Sequence, residues 1–167
     1  MRRRTLLGAG LAACAAGGVA VTAPRWRANR SFRFFTVEEA AIVDAISECL
    51  IPADRDAGAR QAGVVNYIDL QLTRHFKKLQ RTYRQGIAAV EARSQSQFSR
   101  PFTRLVAGEQ VVVLTTIEAK NRAFFELILN HTRQGFYGDP RHGGNRDMAS
   151  WKMLGLPFPQ VRGRRRA

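Results

Sequence analysis

Apolar side chains recur every three to four residues through most of the chain, which is the spacing of helices that bury one face. The first convincing helix begins at Thr36. Thr36 and Glu39 form a capping box, in which each side chain accepts a hydrogen bond from the other's exposed backbone amide. Pro52 is expected to end this helix. Its predicted core face comprises Ile42, Val43, Ile46 and Leu50.

A second apolar stripe starts near Val64 and keeps a four-residue step, so one face of this stretch is predicted to lie against a core. Its members are Val64, Ile68, Leu72, Phe76 and Leu79. The same period continues through Tyr83, Ile87 and Val90, in a third helix or in an extension of the second. The polar residues and the proline between Ser94 and Pro101 predict its end.

Two further helices are predicted towards the C-terminus. One runs from about Glu109, with Val112, Val113 and Ile117 as core candidates, and the next spans about Lys120 to Gln134 before Gly135 stops it. The core residues expected on the latter are Phe124, Phe125, Ile128 and Leu129. No stretch alternates convincingly at the period of a strand. The pattern therefore predicts an all-α fold, an irregular bundle of four to six helices with a long Gly-rich C-terminal loop, over residues 35–158.

The positive charge of the chain is concentrated at its ends. Net charge is +14, from 27 basic and 13 acidic residues, but seven arginines lie at or before Arg33 and four lie at or after Arg162. Without these eleven, 16 basic residues face 13 acidic ones, so the body carries only about +3. This distribution disfavours a nucleic-acid partner. We interpret residues 24–34 as a basic linker and residues 159–167 as a basic disordered tail, suited to an anionic lipid surface.

Residues 1–23 have the composition of a targeting segment. Arg3 and Arg4, followed after one residue by Leu6 and Leu7, fit the twin-arginine export pattern. Residues 5–23 are uncharged and rich in Ala and Gly, and this mild hydrophobicity suits export of folded cargo better than a permanent anchor. An ordinary secretory signal or an anchor helix is the alternative. Cys14 ends a lipoprotein-like box and is an alternative lipidation site, so the fate of the segment stays open.

The cysteines and histidines do not form a recognisable cofactor motif. Cys14 and Cys49 make neither CxxC nor CxxCH, so the sequence offers no haem attachment site or zinc knuckle. Cys49 is predicted to be a small buried group on a helix. His75 and His131 are each placed on a helix without a partner at i+3 or i+4, which favours hydrogen-bonding groups over metal ligands. No catalytic, cofactor-binding or metal-ligating residue is therefore assigned to this chain.

The segment from Gly135 to Asp147 differs from the rest of the chain. Four glycines and a proline impose loop conformations, and charged residues alternate with them before the chain becomes apolar from Trp151 onwards. Such a segment can offer charge-assisted hydrogen bonds and aromatic anchors to a partner. The docking candidates are Phe136, Tyr137, Asp139, Arg141, His142, Asn145, Arg146, Asp147 and Trp151.

This segment, written GFYGDPRxGGNRD…WKxxGLP between Gly135 and Pro157, resembles the gluconate 2-dehydrogenase subunit 3 family. The loop Ile51–Asp54, followed by Ala62-Gly63-Val64 and Ile68-Asp69, is similar to the other landmark of that family. The resemblance covers about residues 34–158, and the twin-arginine start agrees with it.

The resemblance implies a small subunit without chemistry or cofactor of its own. Members of the family accompany a large FAD-dependent flavoprotein of the glucose-methanol-choline (GMC) type, often with a multihaem cytochrome c subunit that carries haem c. The small subunit is thought to support folding of the flavoprotein and its passage through the twin-arginine translocase. We therefore expect a periplasmic location at the outer face of the cytoplasmic membrane, within a complex that oxidises gluconate or a related sugar.

Two alternatives remain open from the sequence. The Asp, Arg and His side chains of the C-terminal loop can be placed at the mouth of the partner's active site, where Arg and His would orient the carboxylate of a sugar acid. Alternatively, the chain is a stand-alone envelope lipoprotein anchored through Cys14.

Overall fold

Six α-helices form the regular structure of residues 32–156, which are the residues that the computed structural model describes. They are α1 (Val37–Leu50), α2 (Val64–Leu72), α3 (Gln80–Phe98), α4 (Ala107–Lys120), α5 (Arg122–Tyr137) and α6 (Ala149–Met153). Between residues 32 and 156 there is no strand, which confirms the predicted all-α bundle. The predicted export signal, Cys14, most of the basic linker and the C-terminal tail lie outside the described residues.

The predicted capping box starts α1. Thr36 Oγ1 accepts a hydrogen bond from the Glu39 amide at 3.2 Å, and Glu39 Oε2 accepts one from the Thr36 amide at 2.9 Å. Val43 and Ile46, on the core face of α1, are completely buried. Cys49, near the end of α1, is half-buried and donates to Gln110 Oε1 on α4 at 3.3 Å, and burial raises its pKa to about 11.

The apolar stripe that starts at Val64 is broken after Leu72, where the sequence pattern alone predicts continuity. The Thr73 hydroxyl donates to Leu70 O at 2.9 Å and the Phe76 amide donates to Gln71 O at 2.8 Å, so the backbone closes a turn before α3. His75 lies exposed in this turn, and its placement on a helix was wrong. The turn brings the Phe76 ring onto His131 of α5, with centroids 4.1 Å apart.

The predicted end of α3 is confirmed, whereas part of the predicted core face of α4 was wrong. Helix α3 ends at Phe98, within the stretch Ser94–Pro101 where its end was predicted, and the buried Ser94 hydroxyl donates to Arg100 O at 2.6 Å. Val112, expected in the core, is 44% exposed, whereas Val113 and Ile117 of the same helix are buried as predicted. Three consecutive valines cannot all lie on one helix face, and the pattern did not show which of them is buried.

A buried polar pair lies where α3 meets α5. Tyr83 is completely buried and its hydroxyl lies 2.8 Å from His131 Nδ1. Burial lowers the pKa of His131 to about 4, so the imidazole is neutral near pH 7, and burial also raises the pKa of Tyr83. The prediction that His131 is a hydrogen-bonding group of the interior is confirmed.

The start of the body is fixed by a single carboxylate. Buried Asp69 of α2 accepts hydrogen bonds from three consecutive amides, those of Arg33, Phe34 and Phe35, at 2.8, 3.0 and 3.0 Å. Arg84 of α3 lies over the Phe34 ring, 4.6 Å from its centroid, and also pairs with Glu39. Residues 33 and 34, the last two of the predicted linker, therefore belong to the folded body.

Candidate functional site

Asn145 organises the C-terminal segment, which we define as residues 138–156. It is completely buried, and its Nδ2 donates to Gly138 O at 2.9 Å while its Oδ1 accepts from the Ser150 amide at 3.0 Å. Its own amide donates to Gly135 O at 2.8 Å. These bonds tie the end of α5 to the start of α6, so the Gly-rich loop is an ordered connection with short 3₁₀ turns at Pro140–His142 and Arg146–Met148.

Gly144 permits this return of the chain. A Cβ at that position would overlap the carbonyl oxygen of Gly135, so only glycine lets the two backbones approach closely enough for the hydrogen bond of Asn145. The residue type at position 144 is therefore explained by packing inside this chain.

Asp139 and Arg141 also interact mainly with each other. Asp139 Oδ1 accepts from the Arg141 amide at 3.0 Å, which caps the first 3₁₀ turn, and its Oδ2 pairs with Arg141 Nε at 3.2 Å. The Arg141 side chain is nevertheless 58% exposed, so its other guanidinium nitrogens face solvent.

The two landmarks of the sequence meet in the structure. The Arg146 amide donates to Ala62 O at 2.9 Å, which joins the C-terminal segment to the turn that begins α2. Gly63 has φ +71°, and a Cβ there would lie 3.1 Å from Arg146 Nη2. Glycine at position 63 thus satisfies both a left-handed backbone and the neighbouring guanidinium. We call this contact the landmark junction.

A depression of about 390 Å³ lies at the landmark junction. Arg55, Arg146 and Lys152 contribute three cations to its lining, whereas Asp56 and Asp147 contribute two carboxylates. Within residues 32–156 none of these five charged side chains is in an ion pair. The remaining lining residues are Ala57, Gln61, Ala149 and Met153. Such a surface suits a charged or polar group supplied from outside this chain.

A second depression, of about 570 Å³, lies on the α2 side of the same segment and is mainly aromatic. Tyr67, Phe76 and Tyr137 line it, and the Tyr67 hydroxyl donates to Gln134 Oε1 at 2.9 Å. Gln71, Gln134, His75, Gly138 and His142 complete the lining. Burial raises the pKa of Tyr67, so its phenol is protonated at neutral pH and acts as the donor of that bond.

Apolar side chains are exposed around these depressions. Tyr137 is 45% exposed, and the backbone carbonyl of this residue accepts a hydrogen bond from Trp151 Nε1 at 3.0 Å. Met153, Leu154 and Leu156 are 36%, 53% and 50% exposed. Clustered exposed apolar residues are typical of surfaces that contact another molecule, and Met153, Leu154 and Leu156 lie within four residues of the chain.

The structure divides the predicted docking residues into three groups, and their docking role stays a prediction. Phe136 and Asn145 are buried and shape the segment; Asp139, Arg146 and Trp151 are half-buried. The exposed members are Tyr137, Arg141, His142 and Asp147. Arg55, Gln61 and Lys152 were not among the docking candidates, although the fold brings them to the same surface. The sequence signals were their positions: Lys152 belongs to the WKxxGLP motif, and Arg55 and Gln61 lie beside the first landmark.

The described residues show neither a cluster suited to a metal ion nor a helix suited to span a membrane. Residues 32–156 contain no cluster of three or more His, Cys, Asp or Glu side chains that could hold a metal ion. None of the helices described there has the length and apolar character needed to cross a membrane.

The model of a protein family, described as Gluconate 2-dehydrogenase subunit 3, matches residues 37–157. The match includes both landmarks and the whole of the landmark junction. No curated protein and no solved structure matches the chain.

Proposed function

This chain belongs to the gluconate 2-dehydrogenase subunit 3 family, and on that premise we propose that it is the non-catalytic small subunit of a periplasmic dehydrogenase complex. Its partner is a large FAD-dependent subunit of the GMC type that oxidises gluconate or a related sugar. FAD belongs to that partner, and a cytochrome c subunit carrying haem c receives the electrons. The observation that carries the proposal is the family match, which spans nearly the whole described body.

We propose that the C-terminal segment contacts the large subunit. The buried polar group of Asn145 is satisfied inside the chain, so the segment is already ordered before any partner arrives. The exposed Tyr137 and Leu154 then supply apolar contact area, while Arg146 and Lys152 supply charge. An ordered surface that combines aromatic or aliphatic side chains with arginine is typical of the centres of protein interfaces.

The second part of the proposal is escort of the flavin subunit through the twin-arginine translocase. The Arg3-Arg4 motif supplies the address, and the route carries folded cargo. Asp69 accepts hydrogen bonds from the amides of residues 33–35. These bonds support the proposed escort, because they attach the stretch that follows the predicted signal to the folded body. The folded body and the predicted export signal then belong to the same chain.

The test is co-expression with a GMC-type flavoprotein subunit encoded in the same genome, followed by fractionation. We expect the flavoprotein to reach the periplasm with its flavin only when this chain is present. Replacing Arg3 and Arg4 by lysine should retain both proteins in the cytoplasm, whereas the same change at Arg25 and Arg27 serves as a control and should not. Periplasmic, flavin-loaded and active enzyme made without this chain would refute the proposal.

A second candidate function is contribution to substrate binding, and it is favoured by the three unpaired cations at the landmark junction. Arg146 with Lys152 could receive the carboxylate of a sugar acid at the mouth of the partner's active site. Arg146→Ala should then raise KM with assembly intact, while Arg141→Ala, whose guanidinium is already paired with Asp139, should not. Loss of assembly in Arg146→Ala would instead assign this residue to docking.

A further inference from the structure

A groove of about 510 Å³ runs between α3 and α4, away from the residues that line the two depressions of the C-terminal segment. The α3 wall is made of small side chains, Ala89, Ala92 and Ser96, and the α4 wall includes Thr116 and Ile117. Arg93, Lys120 and Asn121 complete the lining. Residues 89–96 extend over about 10 Å of helix, enough for two turns of a partner helix or three residues of an extended segment.

The charge of this groove is not balanced from within its lining. Arg93 and Lys120 are its two charged residues, and none of the eight lining residues is acidic. The Nε of Arg93 is buried without a hydrogen-bond partner, and Nη2 makes only a 3.5 Å contact with Thr116 Oγ1. A buried donor without an acceptor is costly, and for a charged group the cost is larger. Arg93 therefore lacks an anionic hydrogen-bond acceptor within the groove.

One edge of the groove on α4 carries an exposed apolar side chain. Val112 lies one turn before the lining residue Thr116 and is 44% exposed. The Thr115 and Thr116 hydroxyls donate to the carbonyls of Val111 and Val112, at 2.9 and 3.1 Å, so both hydroxyl donors are already engaged by the backbone. A surface with an exposed valine, small walls and one unsatisfied cation fits a polypeptide better than a freely soluble anion, which would leave the valine in water.

We infer that the α3–α4 groove binds an apolar segment of the large flavoprotein subunit that places one Asp or Glu carboxylate on Arg93. The inference rests on the proposed function, since it takes the large subunit as the partner. It adds a second contact area with its own chemistry, separate from the C-terminal segment. The carboxylate would accept from Arg93 Nε and one terminal nitrogen, the geometry in which arginine binds carboxylates most strongly.

The first experiment measures the dissociation constant of the purified chain for the purified large subunit. Arg93→Gln should weaken binding at least about tenfold, because the carboxylate loses its charged partner in a site screened from water. Ser96→Trp fills the groove and should weaken binding as strongly. The matched controls are Arg81→Gln, an exposed arginine of α3, and Gln95→Trp, which lies about 100° further around the same helix. Both controls should bind as the unmodified chain does.

The second experiment places a photo-crosslinking diazirine amino acid of about leucine size, too small to fill the groove, at position 96 or 95 in the assembled complex. We expect position 96, and not 95, to crosslink to a large-subunit peptide that contains Asp or Glu. Unchanged affinity of both groove variants, or a crosslink from position 96 to the cytochrome or to a peptide without acidic residues, would overturn the inference while leaving the proposed complex intact. If the unmodified chain binds no flavoprotein at all, the proposed function fails, and the inference fails with it.

Discussion

Replacement of Asn145 by alanine is the most direct test of how the C-terminal segment is held. The side chain joins Gly138 O and the Ser150 amide, at 2.9 and 3.0 Å, and it is completely buried. Alanine would leave a carbonyl and an N–H without their partner, and each such loss costs about 1–3 kcal/mol when water cannot replace it. Asn145 also has φ +43°, a conformation that asparagine tolerates better than alanine, by about 1 kcal/mol.

The expected loss in the free energy of unfolding is therefore about 3 kcal/mol, since Gly138 is only partly buried and water can reach its carbonyl after the change. Urea denaturation followed by circular dichroism measures it, and amide exchange should show faster opening of residues 138–156. Asn145→Gly separates the two terms, because it loses the same bonds without the backbone cost and should be about 1 kcal/mol less destabilising than alanine. Asp147→Gly, at an exposed position that also has a positive φ of 56°, is the control for the backbone term alone. If the free energy of unfolding of Asn145→Ala lies within about 0.5 kcal/mol of that of the unmodified chain, the change has only the effect of a neutral surface substitution. This account of the segment is then wrong.

Two further predictions concern the buried titratable and charged groups. The pKa of His131 is about 4 in the folded chain and 6.5 without burial, so between these values the unfolded chain binds a proton that the folded chain does not, and stability falls as the pH is lowered through this window. The loss should approach about 3 kcal/mol and should disappear in His131→Gln; equal pH slopes for the two proteins in urea titrations would contradict this. Asp69→Ala should lower the free energy of unfolding by about 3 kcal/mol and expose the amides of residues 33–35 to exchange. Asp69→Asn keeps an acceptor oxygen and should cost about half as much. Identical exchange of these amides in all three proteins would show that the carboxylate does not hold them.

The helices could be predicted from the sequence wherever the determinants are local. The capping box at Thr36 needs only residues three positions apart, and the structure reproduces both of its bonds. The failure after α2 arises from a tertiary partner. The break after Leu72 brings Phe76 onto His131 of α5. This distant partner cannot be read from the local spacing of apolar residues.

The candidate site was predicted as a segment of the chain, whereas its surroundings were not. Glycine and proline content marks residues 135–147 as unusual without any structure. The landmark junction, by contrast, is made by the backbone carbonyl of Ala62, an acceptor that every residue type carries, so the sequence has no signal for it. The unsatisfied Arg93 is equally invisible, since whether an arginine has a carboxylate neighbour depends on the packing of α3 against α4.

The distribution of satisfied and unsatisfied groups argues for a protein partner. Asn145 and Asp69 use their polar side-chain atoms on this chain's own backbone, and Tyr83 satisfies His131 in the interior. The described surface, by contrast, carries unpaired charges of both signs, such as Arg93, Arg146 and Asp147. It also exposes valine, leucine and tyrosine side chains. A small ligand would pair with one of these groups. The proposed large subunit, if it presents acidic and apolar residues, would contact both the C-terminal segment and the α3–α4 groove at once. Because two contacts on one partner reinforce each other, Arg93→Gln should weaken the complex without abolishing it while the C-terminal segment stays intact.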